Sequence, residues 1–215
     1  MQNHQQPHEV IMKQLLLICA VVMGQSVLAA DKKQKNNAEA QKAISEAINK
    51  ISKLQLTRKG ISDLSFISHL THLKRFDVGY NQITDLSPIF NLEKLEALNV
   101  RENKIKNLKP LAELKSLTFL SVENNQIQDV SHLSKLTNME ILVLNNNQIK
   151  DIRPLGSMTK LFQLNLLGNP IKDISVVKNF KGLRLLYLQN MPNVTKAQID
   201  ELQKALPKCK ILSNP

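Results

Sequence analysis

The chain has 215 residues, 42% hydrophobic and 22% charged, enough for one folded domain of ordinary size, with a formal net charge of +11. With no Trp and only 6 Gly it has little material for a Gly-rich phosphate loop. Its basic residues crowd the start (Lys32, Lys33, Lys35, Lys42, Lys50, Lys53, Arg58, Lys59) and scatter afterwards. No aromatic–basic interleaving that would stack bases occurs, which argues against nucleic acid as a partner.

Residues 1–30 read as a secretory signal. Lys13 precedes the apolar run QLLLICAVVMGQSVLAAD, and Val27-Leu28-Ala29 is a small-x-small end that suits cleavage after Ala29. The run is short for a spanning helix, which needs about 20 apolar residues. The polar MQNHQQPHEVI ahead of Met12 fits no such leader and points to translation from Met12. Removing the segment takes one Lys and one Glu, so the charge of the remainder is unchanged. Cys19 lies inside the run with Ile18 where lipid attachment wants a small residue, and Cys209 is then left alone, with no internal disulfide possible. Cys209 reads as a small buried apolar residue.

Residues 31–37, DKKQKNN, read as a disordered leader. Over 38–60 an N-terminal cap is expected: Ala40, Ala43, Ile44, Ala47, Ile48 and Ile51 fall at helical spacing, and Leu54-x-Leu56 supplies a first strand. From Ile61 to Pro192 the chain divides into six units of 22 residues without insertion or deletion. Apolar residues recur at unit positions 1, 4, 7, 10, 13, 16 and 18, and Asn recurs at position 21 as Asn81, Asn103, Asn125, Asn147 and Asn169. One unit cannot bury its apolar face alone, so the units must stack and share a continuous core. Positions 15–19 then form a short strand in which 16 and 18 point inward and 15, 17 and 19 outward. Pro88, Pro110 and Pro154 stand where short helical turns begin. Residues 193–215 read as a C-terminal cap: a helix from Thr195 to Ala205 with Thr195 and Gln198 as a capping box, closed by Ile199, Leu202 and Leu206, then a last strand.

The 22-residue leucine-rich form, with I-x-D-[LI]-x-P-L following the Asn, resembles the internalins and related bacterial surface proteins over about residues 38–212. The fold expected is therefore an α/β solenoid: a right-handed leucine-rich repeat arc with a parallel β-sheet on its concave face, 3₁₀ and turn segments on its convex face, and helical caps. The resemblance implies partner binding, in adhesion or host interaction. No sorting motif or apolar tail follows Ile211, so a soluble periplasmic or secreted protein is expected rather than an anchored one. The same repeat resembles the leucine-rich repeat regulator of protein phosphatase 1, and an intracellular regulatory subunit is the alternative if residues 12–30 are not a signal.

The Asn row is expected to be structural, because the amide both donates and accepts where the chain leaves its strand and buried backbone groups need partners. Asp63, Asp85, Asp129, Asp151 and Asp173, with Asn107 substituting once, form a second row at position 3. Such a row invites a calcium reading, but an Asp beside a turn bonds local N–H groups, with Lys106, Lys150 and Lys172 placed to relieve repulsion. No metal or cofactor is expected, and no small-molecule substrate. His69 and His72 fall on the return path without a third ligand and His132 is a turn residue, so no catalytic set converges and an enzyme is not expected. The outward strand positions carry the functional candidates. Phe119, Ile141 and Val143 form one apolar group, Leu167, Leu185 and Tyr187 a second, with Phe162 bordering both. Arg75, Asp77, Arg101 and Glu123 form a mixed-charge section that would set register with a protein partner. A monomer is expected.

Overall fold

The computed structural model describes Glu46 and residues 50–214. The expected signal, the leader and most of the N-terminal helix lie outside those residues, although Glu46 is helical and Ile51 is buried in the core.

Eight parallel strands form one sheet in sequence order: β1 Lys53–Gln55, β2 Arg75–Asp77, β3 Ala97–Asn99, β4 Phe119–Ser121, β5 Ile141–Val143, β6 Gln163–Asn165, β7 Leu185–Leu188 and β8 Lys210–Ser213. The register is the sequence period made visible. Lys53 pairs with Arg75, Arg75 with Ala97, Ala97 with Phe119, and so on to Leu185, each 22 residues on. Only the last step is longer, with Leu185 opposite Lys210, because the C-terminal helix is inserted there.

Each of β1 to β6 is followed by a return path through a 3₁₀ turn: Ser65–Ile67, Ser87–Ile89, Lys109–Leu111, Ser131–Leu133, Arg153–Ser157 and Ser175–Asn179. Pro88, Pro110 and Pro154 stand in the first turn, where a missing N–H costs nothing. The strands therefore line the concave side and the turns the convex side of the solenoid. Between them run the apolar rows, such as Ile83, Leu86, Ile89, Leu92, Leu95, Leu98 and Val100 in one unit, all fully buried. Burying one such side chain contributes about 1.5–3 kcal/mol, and each does so only because a neighbouring unit lies over it.

At the C-terminus the helix Lys196–Ala205 closes the stack. Thr195 caps it, the Thr195 hydroxyl accepting from Gln198 N while the Gln198 side chain accepts from Thr195 N. Leu202, Leu206 and Cys209 are buried beneath it, and burial pushes the Cys209 thiol pKa up.

Candidate partner-binding face

The scaffold of this face is fixed by its Asn row. Asn103 Nδ2 donates to the carbonyls of Val100 and Arg101 in its own turn and to Val78 in the preceding one, at 3.0, 3.1 and 3.1 Å. Its Oδ1 accepts from Ile83 N at 2.9 Å. Asn125, Asn147 and Asn169 repeat the pattern one unit at a time. Asn81 extends it into the cap, accepting from both Lys59 N and Ile61 N at 3.0 Å. At Met191 the row ends. Asn193 Nδ2 and Gln198 Nε2 instead donate to Pro170 O and Lys172 O of the preceding turn, at 3.2 and 2.9 Å.

Just before each Asn of the row, and at the equivalent places before Lys59 and Met191, the backbone turns through the left-handed region. Arg58, Tyr80, Glu102, Asn124, Asn146, Gly168 and Asn190 all have φ between 50° and 70°. Asn and Gly tolerate that conformation; Arg, Tyr and Glu adopt it at a cost. Strand and turn together aim positions 15, 17 and 19 outward.

On the outward face Phe119 lies directly opposite Ile141, and Val143 follows Ile141 on the same strand, all half-buried. Leu185 and Tyr187 of β7 form the second apolar group. Gln163 and Asn165 of β6 stand between the two groups, so they do not merge. Leu167 is half-buried past the end of β6, and Phe162, 40% exposed, precedes it.

The mixed-charge section lies on the first strands. Arg75 is exposed, while Asp77 is occupied within the chain, its Oδ1 accepting from Thr57 Oγ1 and Gly79 N at 3.1 Å each. Ala97, the small residue between Arg75 and Phe119 in register, leaves a hollow of about 520 Å³ lined also by Lys53, Gln55 and Asn99. Arg101 and Glu123 belong to position 19. Among the described residues the buried side-chain polar atoms without a hydrogen-bond partner are Arg101 Nε, Asn145 Oδ1 and Gln189 Oε1, and all three residues stand at that position. Unsatisfied buried groups are costly in an isolated fold, and here they fall in one row beside the apolar groups.

Two features of the surface escape the strand-position reading. The Tyr80 ring, at position 20, lies between the guanidinium groups of Arg58 and Arg101, 4.3 and 4.9 Å from its centroid. An aromatic at a position where three other turns carry Asn was the available signal. Phe90 is 57% exposed on the return path, at the end of the Ser87–Ile89 turn.

The convex Asp row makes turn contacts. Ser65, Ser87, Ser131, Arg153 and Ser175 each donate a backbone N–H to the Asp two residues earlier at 2.8–2.9 Å, and Lys109 N donates to Asn107 Oδ1 at 2.9 Å. The Ser N–H first, then the hydroxyl, hold Asp63 and Asp129 below the ordinary carboxyl value; for Asp85 and Asp173 the hydroxyl leads. Asp151 is lowered first by the Arg153 guanidinium, with which it pairs at 2.7 Å. The cation seen against this row is thus Arg153; no ion pair of Lys106, Lys150 or Lys172 with it occurs among the described residues. No group of three His, Cys, Asp or Glu that could hold a metal is found among the described residues, where His69 and His72 are exposed and His132 half-buried. Nor is any described helix long and apolar enough to cross a membrane.

Comparison with known proteins agrees with this geometry. A family model for leucine-rich repeats in two copies matches residues 71–113, 93–135, 115–157 and 137–179, together half of the chain. An internalin of Listeria monocytogenes is 30% identical with a TM-score of 0.73, over 79% of this chain and 49% of its own length. The chain thus spans about half of that internalin. Internalin C2 of the same species is 25% identical with a TM-score of 0.63, over 79% of this chain and 84% of its own. A leucine-rich repeat protein of Leptospira interrogans, 22% identical with a TM-score of 0.60 over 78% of this chain and 50% of its own, shares the fold. No curated protein matches significantly. Strand, 3₁₀ turn and bridging Asn return in every matched unit, and the chain belongs to the leucine-rich repeat family, with repeats like those of the internalins.

Proposed function

We propose that this is an exported protein that binds another protein through its concave face, in the adhesive or host-directed setting that the internalin likeness implies. The observation that carries the reading is the register of Phe119, Ile141 and Val143. They are half-buried apolar side chains on the side of the sheet away from the core. The scaffold does not need them, since positions 16 and 18 already fill the interior, and apolar groups with a polar surround suit a protein contact. Leucine-rich repeat proteins are typically interaction scaffolds, and binding here rests on surface complementarity without bond-making chemistry.

Replacing Phe119, Ile141 and Tyr187 together by Ser leaves every core position intact. The variant is expected to keep its melting temperature and lose capture of a confirmed partner; undiminished capture would sink the reading. Export is tested separately by mass spectrometry of the natural N-terminus in fractionated cells. A start at Ala30 or Asp31 outside the cytoplasm is expected. A cytosolic chain still carrying Met1 or Met12 would overturn export and favour the intracellular regulator.

A further inference from the structure

Tyr80 and the arginines flanking it belong to neither the core nor the apolar rows. Tyr80 and Arg58 both hold φ at 57°, a conformation that a side chain with a Cβ adopts at a cost. The three residues come from successive turns, so the ring separates two cations along the solenoid. Gly79 makes room for this: a Cβ there would stand 3.1 Å from Arg101 Cγ, in the space the arginine stem occupies.

Among the described residues neither arginine forms an ion pair with an acid. Asp77 is engaged by Thr57 and Gly79, Glu102 accepts from Asn124 Nδ2 at 2.6 Å, and Arg101 Nε is covered without a hydrogen-bond partner. Two guanidinium groups held on one ring repel each other, and a carboxylate arriving beside them turns that repulsion into attraction. Both guanidinium groups are held close to the ring, and apart from the covered Arg101 Nε their N–H groups can donate as a fork to carboxylate oxygens with little loss of side-chain freedom. The hollow over Ala97 lies on the same face two to five residues before the clamp along the strands; Asp77 and Asn99 line the side nearer the clamp, Lys53 and Arg75 add cations to it, and Phe119 stands across Ala97.

We propose that Arg58, Tyr80 and Arg101 form a clamp for the carboxylates of an acidic segment of the protein partner, whose next apolar residues lie in the hollow against Phe119. The proposal rests on the concave-face reading and names the chemistry of its partner. Charge complementarity supports it at both scales, the stacked arginines locally and the net charge of +11 for the chain.

The test uses a short fluorescent peptide of alternating Asp and Leu, and its counterpart with Asn for Asp, titrated at low salt into the full chain. The acidic peptide should bind at least about tenfold more tightly than the amide. Arg58→Gln with Arg101→Gln should remove that advantage, whereas Lys150→Gln with Lys172→Gln, the same loss of charge on the convex side, should change affinity less than about twofold. Gly79→Leu displaces Arg101 from the ring without removing charge, at a position where another unit carries Leu167, and should also weaken binding; it decides the matter if the double Arg variant fails to fold. Equal affinity of the two peptides, or equal losses in the two double variants, overturns the clamp. Partner capture that survives loss of both arginines but not the triple Ser change overturns the clamp and keeps the concave-face reading. Capture unaffected by the Ser changes overturns that reading itself.

Discussion

Asn125 serves two turns at once. Its Nδ2 donates to Val122 O and Glu123 O of its own turn and to Val100 O of the one before, while its Oδ1 accepts from Ile105 N. Asn125→Ala leaves these buried backbone groups unsatisfied, and at about 1–3 kcal/mol for each a loss of about 3 kcal/mol or more is expected in urea unfolding. A loss below about 0.5 kcal/mol would mean that water replaces the amide without cost. Gly168 needs its φ of 70°, and a Cβ there would run into Asn146 Oδ1. The amide end of Asn146 can move aside, so the backbone conformation dominates, and Gly168→Ala should cost about 1 kcal/mol in the same assay. The Asn row was legible in the sequence because an amide recurred at one place in an apolar frame. The left-handed residue before it was not, since Arg58, Tyr80 and Glu102 hide a conformation that Asn and Gly advertise.

Strands and turns were legible for a related reason: each element repeats, so its pattern is read several times over. The strand was expected at positions 15–19 and occupies 15–17 in most units, because the chain already turns toward the left-handed residue at position 20; the 3₁₀ turn after position 4 and the capped C-terminal helix follow from spacing, Pro placement and the Thr195–Gln198 pair. Contacts between different rows have no period to reveal them, which is why the Tyr80 stack, the exposed Phe90 and the Asp151–Arg153 pair appear only in three dimensions. The Asp row makes a prediction for these turns. Its carboxyls titrate below their ordinary value when folded. Their contribution is therefore present above the unfolded pKa and is lost as pH falls through the folded one. Stability should decline as the pH drops below about 4. Replacing Asp63, Asp85, Asp129, Asp151 and Asp173 by Asn, the residue that keeps the same backbone hydrogen bond at Asn107, should flatten that decline in melting temperature measured against pH. An unchanged acid limb would assign it to other carboxyls.

As a whole the molecule has one core but no centre, because each unit touches only the units before and after it. Leu142, fully buried in β5, tests this. Leu142→Ala should cost about 2–5 kcal/mol, and amide exchange should speed up in β4, β5 and β6 more than in β1 and β8. Equal acceleration along the whole sheet would show cooperativity reaching beyond neighbours. The constant 22-residue step from β1 to β7 has a consequence for how such a chain can change over generations. A duplication or deletion of one whole period returns every side chain to its own row, whereas a change of another length must be taken up outside the rows, as the helix does between β7 and β8. The gene can therefore lengthen or shorten its recognition surface by recombination within itself, sliding one composition of outward residues past another while the interior stays the same.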